Sequence, residues 1–121
     1  MEITKANEDY LESILVLGTI KDGTRSVDVA KSLGVSKAAV TIAVEELITK
    51  GLVIREAYRN IFLTDAGRTI ATSISQKHKL IKDFLIKIGV SEETADIECC
   101  KIEHILSDET LACLQKVATK F

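Results

Sequence analysis

Val27-Asp28-Val29-Ala30-Lys31-Ser32-Leu33-Gly34-Val35-Ser36-Lys37-Ala38-Ala39-Val40-Thr41-Ile42-Ala43-Val44-Glu45-Glu46-Leu47 decides the fold. Its first part reads as a short helix over residues 27–33, with Ser26 placed to cap it, since a hydroxyl there can accept from a free amide of the first turn. Ala30 is small where two helices must cross closely, and Gly34 relieves the corner Gly34-Val35-Ser36. Ser36 then caps a second helix running to about residue 50. On it Val40, Val44 and Leu47 recur at i, i+4 and i+7 and should face inward. Gly51 is the expected stop, because helices often end in a left-handed residue.

Before this stretch, residues 7–20 read as a first helix, with Tyr10, Leu11, Ile14, Leu15 and Leu17 at helical spacing. Lys21-Asp22-Gly23-Thr24 is a turn. After it, Leu52-Val53-Ile54 and Asn60-Ile61-Phe62-Leu63 are β-prone runs around a polar segment and read as a hairpin. Thr64 caps a long helix over 65–88 with Ile70, Ile74, Ile81, Leu85 and Ile88 on one stripe, and Gly89 ends it. Ser91-Glu92-Glu93 and Ser107-Asp108-Glu109 open two further helices with negative charge at the positive end. The last helix carries an apolar seam of Leu111, Leu114, Val117 and Phe121.

The chain of 121 residues, without proline or tryptophan, is therefore mainly α with a small β-hairpin. Helix, short helix, three-residue corner, helix, hairpin is the order of a winged helix-turn-helix. In such a unit the second helix of the pair enters the major groove with its N-terminal residues near base edges. Ser36, Lys37, Ala38, Ala39 and Thr41 are the candidates there, with Ser26 beside them, and Arg55 and Arg59 on the hairpin are placed to meet phosphate. The reading helix also carries Ile42, Glu45 and Glu46, so base recognition would lean on small side chains and thymine methyl contacts rather than arginine forks. Three packed helices without a DNA role are the plainer alternative.

Sixteen basic against eighteen acidic residues give a net charge of −2, which argues against coating nucleic acid by bulk charge but not against a basic reading face. The start, Met1-Glu2-Ile3-Thr4-Lys5, is too polar for a signal peptide, and no apolar run approaches membrane-spanning length, so a cytoplasmic protein is expected. Cys99, Cys100 and Cys113 form no CxxC, against both a disulfide framework and a zinc ribbon.

Several ionisable residues fall where packing alone does not explain them. Asp9 and Glu12 project from one face of the first helix, His78 lies on the apolar stripe of the long one, and Cys100, Glu103 and His104 sit at i, i+3 and i+4. Each has a bland reading: a hydrogen-bonded core histidine, a small buried thiol, ordinary first-turn acids. Together they would burden apolar faces with charges that are costly to bury unless they are paired or bind metal. Oxygen, nitrogen and one sulfur make a set suited to a divalent transition ion.

These segments resemble the metal-dependent repressors typified by the diphtheria toxin repressor and the manganese transport regulator. The resemblance rests on residues 8–12, 27–36 and 63–67, and most specifically on His78 and the run Cys100-Lys101-Ile102-Glu103-His104-Ile105-Leu106-Ser107-Asp108. It implies a winged-helix DNA-binding domain, residues 1–72, followed by a helical metal-binding and dimerisation domain, residues 73–121. It implies metal ligands at Asp9, Glu12, His78, Cys100, Glu103 and His104. Asp9 and Glu12 match the manganese-responsive branch and Cys100 the iron-responsive one, so Fe(II) and Mn(II) rank together and Zn(II) follows. Lys82 and Asp96 depart from the glutamate and histidine of the iron branch's ancillary site, which is therefore expected to be absent. Ile42 stands where relatives usually carry a polar or basic residue, and with the sequence ending at Phe121 the extra C-terminal domain of longer members is expected to be missing.

The expected activity is metal-dependent transcriptional regulation, with repression of metal-uptake genes implied by the resemblance. The ion would fix two reading units of a homodimer on a palindromic operator, with no small organic substrate and no membrane. Competing readings are a winged-helix regulator of a non-metal ligand, a structural metal in a helical interaction module, and a metal-dependent hydrolase. No hydrolase motif or adjacent base supports the last, and no enzymatic activity is expected.

Overall fold

The computed structural model describes residues 3–56 and 60–118. Its elements are α1 (Lys5–Leu17), α2 (Ser26–Leu33), α3 (Lys37–Thr49), β1 (Val53–Arg55), β2 (Ile61–Leu63), α4 (Asp65–Lys87), α5 (Glu92–Ile102) and α6 (Asp108–Ala118). The chain divides into two compact units, residues 1–72 and 73–121. Among the described residues no helix is long and apolar enough to cross a membrane.

In the first unit, Leu11, Val29, Val40, Val44, Leu47, Leu52, Val53 and Ile61 are at most 1% exposed and form one core. Each large side chain so buried contributes about 1.5–3 kcal/mol relative to exposure. The inward reading of Val40, Val44 and Leu47 is thus what the structure shows. Gly34 adopts φ 67°, and Ser36 caps α3 by accepting from the Ala39 amide at 3.1 Å.

Two expectations are corrected here. Helix α1 begins at Lys5, because Thr4 caps it reciprocally with Asn7, and it stops at Leu17, where Gly18 turns extended. Ser26 is not a cap: Arg25 holds that place without a side-chain cap bond, and Ser26 is the first helical residue.

The hairpin pairs Val53 with Leu63, Ile54 with Phe62 and Arg55 with Ile61, antiparallel. Thr24 bridges to its other side: Thr24 N–H donates to Ile61 O at 2.8 Å and Ile61 N–H returns to Thr24 O at 2.9 Å. The buried Thr24 hydroxyl donates to the Ile14 carbonyl at 2.7 Å, so one residue ties the end of α1 to the wing. At the other end of α1, the Asn7 side chain, 2% exposed, accepts from Lys50 Nζ at 2.6 Å and donates to Glu46 Oε1 at 3.4 Å, joining α1 to the end of α3. Thr64 caps α4 through the Gly67 amide, and Gly67 lies so close to the Leu52 carbonyl that any added Cβ would collide with it.

In the second unit Ile81, Cys99 and Leu111 are buried together, with Leu80, Leu85, Ile102 and Leu106 packed against them. Ser91 and Ser107 cap α5 and α6 through the Thr94 and Thr110 amides. The α4 stripe is shorter than its pattern: Ile74 and Ile81 are buried, but Ile88 lies past the helix end and is 55% exposed. Along the α6 seam Leu111 is buried and Val117 exposed, while Phe121 lies outside the described residues.

Candidate metal centre and nucleic-acid interface

The second unit gathers four of the six candidate ligands. His78 on α4 places Nδ1 3.2 Å from Glu103 Oε2 and 3.7 Å from Cys100 Sγ. The other Glu103 oxygen, Oε1, is 3.4 Å from His104 Nε2. Glu103 and His104 are nearly inaccessible at the side chain, 2% and 6% exposed. Helix α5 ends at Ile102, with Glu103 as its C-cap, so His104 stands in the following turn rather than on the helix as its spacing suggested.

The donor set fits a divalent ion. Bonds of about 2.1 Å to nitrogen or oxygen and about 2.3 Å to sulfur set neighbouring ligand atoms about 3.0–3.7 Å apart, the range of the separations above. A buried carboxylate faced on both oxygens by imidazole nitrogens is also a place where a divalent cation would supply compensating charge. Asp9 and Glu12 belong to the first unit, both half-buried on α1, with Asp9 accepting from Lys5 Nζ at 3.4 Å.

Cys99 is the residue the spacing missed. Its Sγ is 3.6 and 3.5 Å from the two ring nitrogens of His78, the placement of a group packed on the ring face rather than along one lone pair. Burial pushes its thiol up to about 12, so it behaves as a small apolar wall that fixes the imidazole. The stripe Ala95, Cys99, Glu103, all buried at i, i+4 and i+8, was the signal available in the sequence.

At the positions that depart from the ancillary site, Lys82 Nζ lies 2.7 Å from Asp96 and 3.8 Å from Glu92. The hydrogen bond to Asp96 raises the Lys82 pKa above its ordinary value. A fixed ammonium therefore supplies the positive charge there.

On the first unit, Lys37, Ala38 and Thr41 are exposed on the first turns of α3, Ala39 is half-buried, and Ser36 precedes them. Arg55 is exposed on β1, its Nη2 donating to Ser26 Oγ at 2.6 Å, which gives Ser26 its role in place of capping. Arg59 lies outside the described residues.

Residues 2–61 match the family model of the iron dependent repressor N-terminal DNA binding domain, and residues 64–121 that of the iron dependent repressor metal binding and dimerisation domain. The chain belongs to the iron-dependent repressor family, which includes the manganese regulators. It is 41% identical over 123 residues to an HTH-type transcriptional regulator of Methanocaldococcus jannaschii, covering 98% of this chain and 97% of the relative. It is 38% identical over 104 residues to the HTH-type transcriptional regulator MntR of Geobacillus kaustophilus, covering 86% and 74%. Among solved structures, the manganese regulator SloR superposes with a TM-score of 0.82 at 29% identity, and T. acidophilum IdeR with 0.79 at 27%. Each covers 98% of this chain, which spans 55% of each of theirs.

The protein is thus a metal-dependent, DNA-binding transcriptional repressor with a divalent metal cofactor, and the family is one of repressors rather than enzymes. Its partners are DNA and a second copy of itself.

Proposed function

We propose that this repressor responds to Fe(II) or Mn(II), with Zn(II) a weaker fit, through Asp9, Glu12, His78, Cys100, Glu103 and His104. The observation that carries the reading is the convergence of His78 Nδ1, Cys100 Sγ and the Glu103 carboxylate, with His104 on that carboxylate's other oxygen. Residues 1–72 act as the DNA-binding domain and residues 73–121 as the metal-binding and dimerisation domain, working in the cytoplasm on the promoters of metal-uptake genes. A bound ion supplies the positive charge that lets these carboxylates and imidazoles share one site. Glu103 holds both imidazoles in register, and Cys99 keeps the His78 ring from turning.

The operator is a palindrome read by the two α3 helices about 34 Å apart. Ser36, Lys37, Ala38, Ala39 and Thr41 face the bases, while Arg55, oriented by Ser26, and Arg59 meet phosphate. Tighter metal binding in the DNA-competent arrangement shifts the population toward it, and DNA must then raise metal affinity by the same factor.

Anaerobic capture of genomic fragments by the purified protein, with chelator and then with Mn(II) or Fe(II), tests the reading. Enrichment of a few palindromic fragments only with metal is expected. Equal enrichment with chelator overturns metal control, and a full metal response in Glu103→Ala and His104→Ala overturns the ligand assignment.

A further inference from the structure

Cys99 and Cys100 are neighbours on α5, and both sulfurs stand beside one imidazole of α4. Cys99 Sγ is 3.6 and 3.5 Å from Nδ1 and Nε2 of His78, and Cys100 Sγ is 3.7 Å from Nδ1. One donor atom from each of the three residues can be chosen so that all lie within 4.8 Å of one another. Bonds of about 2.3 Å to sulfur and about 2.1 Å to nitrogen around one ion set sulfur and nitrogen about 3.6–3.8 Å apart, and two sulfurs about 3.8–4.0 Å apart. The three side chains therefore already stand at the spacing of a two-sulfur, one-nitrogen site. Cys99 is buried and Cys100 exposed, which gives that site a dry inner ligand and an open side through which an ion can arrive.

In the set proposed above for Fe(II) or Mn(II), Cys99 takes no part, and its thiol donates to the Asp96 carbonyl at 3.4 Å. A buried thiol keeps its proton unless the incoming ion binds sulfur strongly enough to displace it. Soft ions do so, whereas Mn(II) prefers oxygen.

We infer that His78, Cys99 and Cys100 form an alternative coordination site for a thiophilic closed-shell ion, Cu(I) or Cd(II), exclusive of the site for Fe(II) or Mn(II). The inference rests on the reading of His78 and Cys100 as ligands. On binding, each thiol gives its proton to solvent and a metal–sulfur bond replaces the S–H bond. Imidazole binds an ion in its own plane along a nitrogen lone pair, whereas Cys99 lies against the ring face. His78 must therefore turn toward the sulfurs and away from Glu103 Oε2, which is 3.2 Å from Nδ1 in the metal-free arrangement. The soft ion leaves Glu103 and His104 outside its coordination, and Cys99 is the residue that separates thiophilic from oxygen-seeking ions.

The test titrates Cd(II) anaerobically into the metal-free full chain and counts thiolates per bound ion, by charge-transfer absorbance and by cadmium NMR. The native chain and Cys113→Ala should each show two thiolates. Cys99→Ala and Cys100→Ala should each lose about half of the absorbance per ion, and the double variant all of it. Far-UV circular dichroism checks the fold of Cys99→Ala, and the native count stands by itself if that variant does not fold. One thiolate in the native chain, lost in Cys100→Ala, overturns the inference and leaves the ligand reading intact. Two thiolates retained in Cys99→Ala overturn it as well, since Cys113 must then be the source. Failure of the ligand reading looks different: no thiolate would be bound in the native chain, and Cys100→Ala would change nothing.

Discussion

Replacing Thr24 by valine removes one oxygen and little else. Thr24 is 2% exposed and its hydroxyl donates to the Ile14 carbonyl at 2.7 Å. That carbonyl lies in the last turn of α1, just before Gly18 turns the chain extended at φ −113°, ψ −177°. Valine fills the same volume but leaves a buried acceptor without its donor, at a cost of about 1–3 kcal/mol. For a unit of this size each kcal/mol moves the midpoint of thermal unfolding by about 4–8 °C. Urea unfolding of the metal-free chain, followed by far-UV circular dichroism, should show a lower midpoint with an unchanged slope. Thr24→Ser keeps the hydroxyl and gives up one methyl, about 0.8 kcal/mol, so it should retain more stability than the valine variant. A valine variant within 0.5 kcal/mol of the native chain, or a serine variant below it, refutes the capping argument.

Three further outcomes are expected. At pH 8 in metal-free protein, iodoacetamide should label the exposed Cys100 and Cys113 and spare Cys99, whose thiol at about 12 leaves about one thiolate in ten thousand. Saturating metal should then protect Cys100 but not Cys113; mass spectrometry reads both, and labelling of Cys99 at the Cys113 rate contradicts its burial as a wall. Gly67→Ala should cost about 1–3 kcal/mol in the same urea assay, because the Leu52 backbone must move, and a neutral result would show that α4 can shift away freely. Lys50→Met should leave metal affinity in the absence of DNA unchanged while reducing the gain in metal affinity that operator DNA confers, measured by titration with and without operator; an unchanged gain would show that the Asn7 tie plays no part in coupling.

What was legible in the sequence was local. Ser36 and Thr64 cap as read, and Ser91 and Ser107 cap the two helices expected to open there, because a cap depends on a hydroxyl and an amide three residues apart. Ser26 misled because its partner is Arg55, 29 residues on, and the extended backbone at Arg25 sets the helix start. The start of α1 was missed although its signal is local: Thr4 and Asn7, three residues apart, cap each other reciprocally ahead of the apolar pattern from which the helix was read. In the candidate site, the i, i+3, i+4 pattern found Cys100, Glu103 and His104, but it assumed a helix that continues. The break after Ile102 places His104 by a turn, and the overlapping stripe of Ala95, Cys99 and Glu103 brings the second cysteine against His78.

The ties on α1 bear on how metal occupancy can be felt at the bases. Asp9 and Glu12 lie between two fixed points on one helix: Asn7, bonded to Lys50 and Glu46 at the end of α3, and Ile14, bonded through Thr24 to β2. A helix anchored at one end could pivot when its acids are drawn toward a cation, and the motion would be lost in α1. Anchored at both ends, and packed through Leu11 and Ile14 into the core shared with Val40 and Val44, α1 passes any displacement to α3 and the wing together.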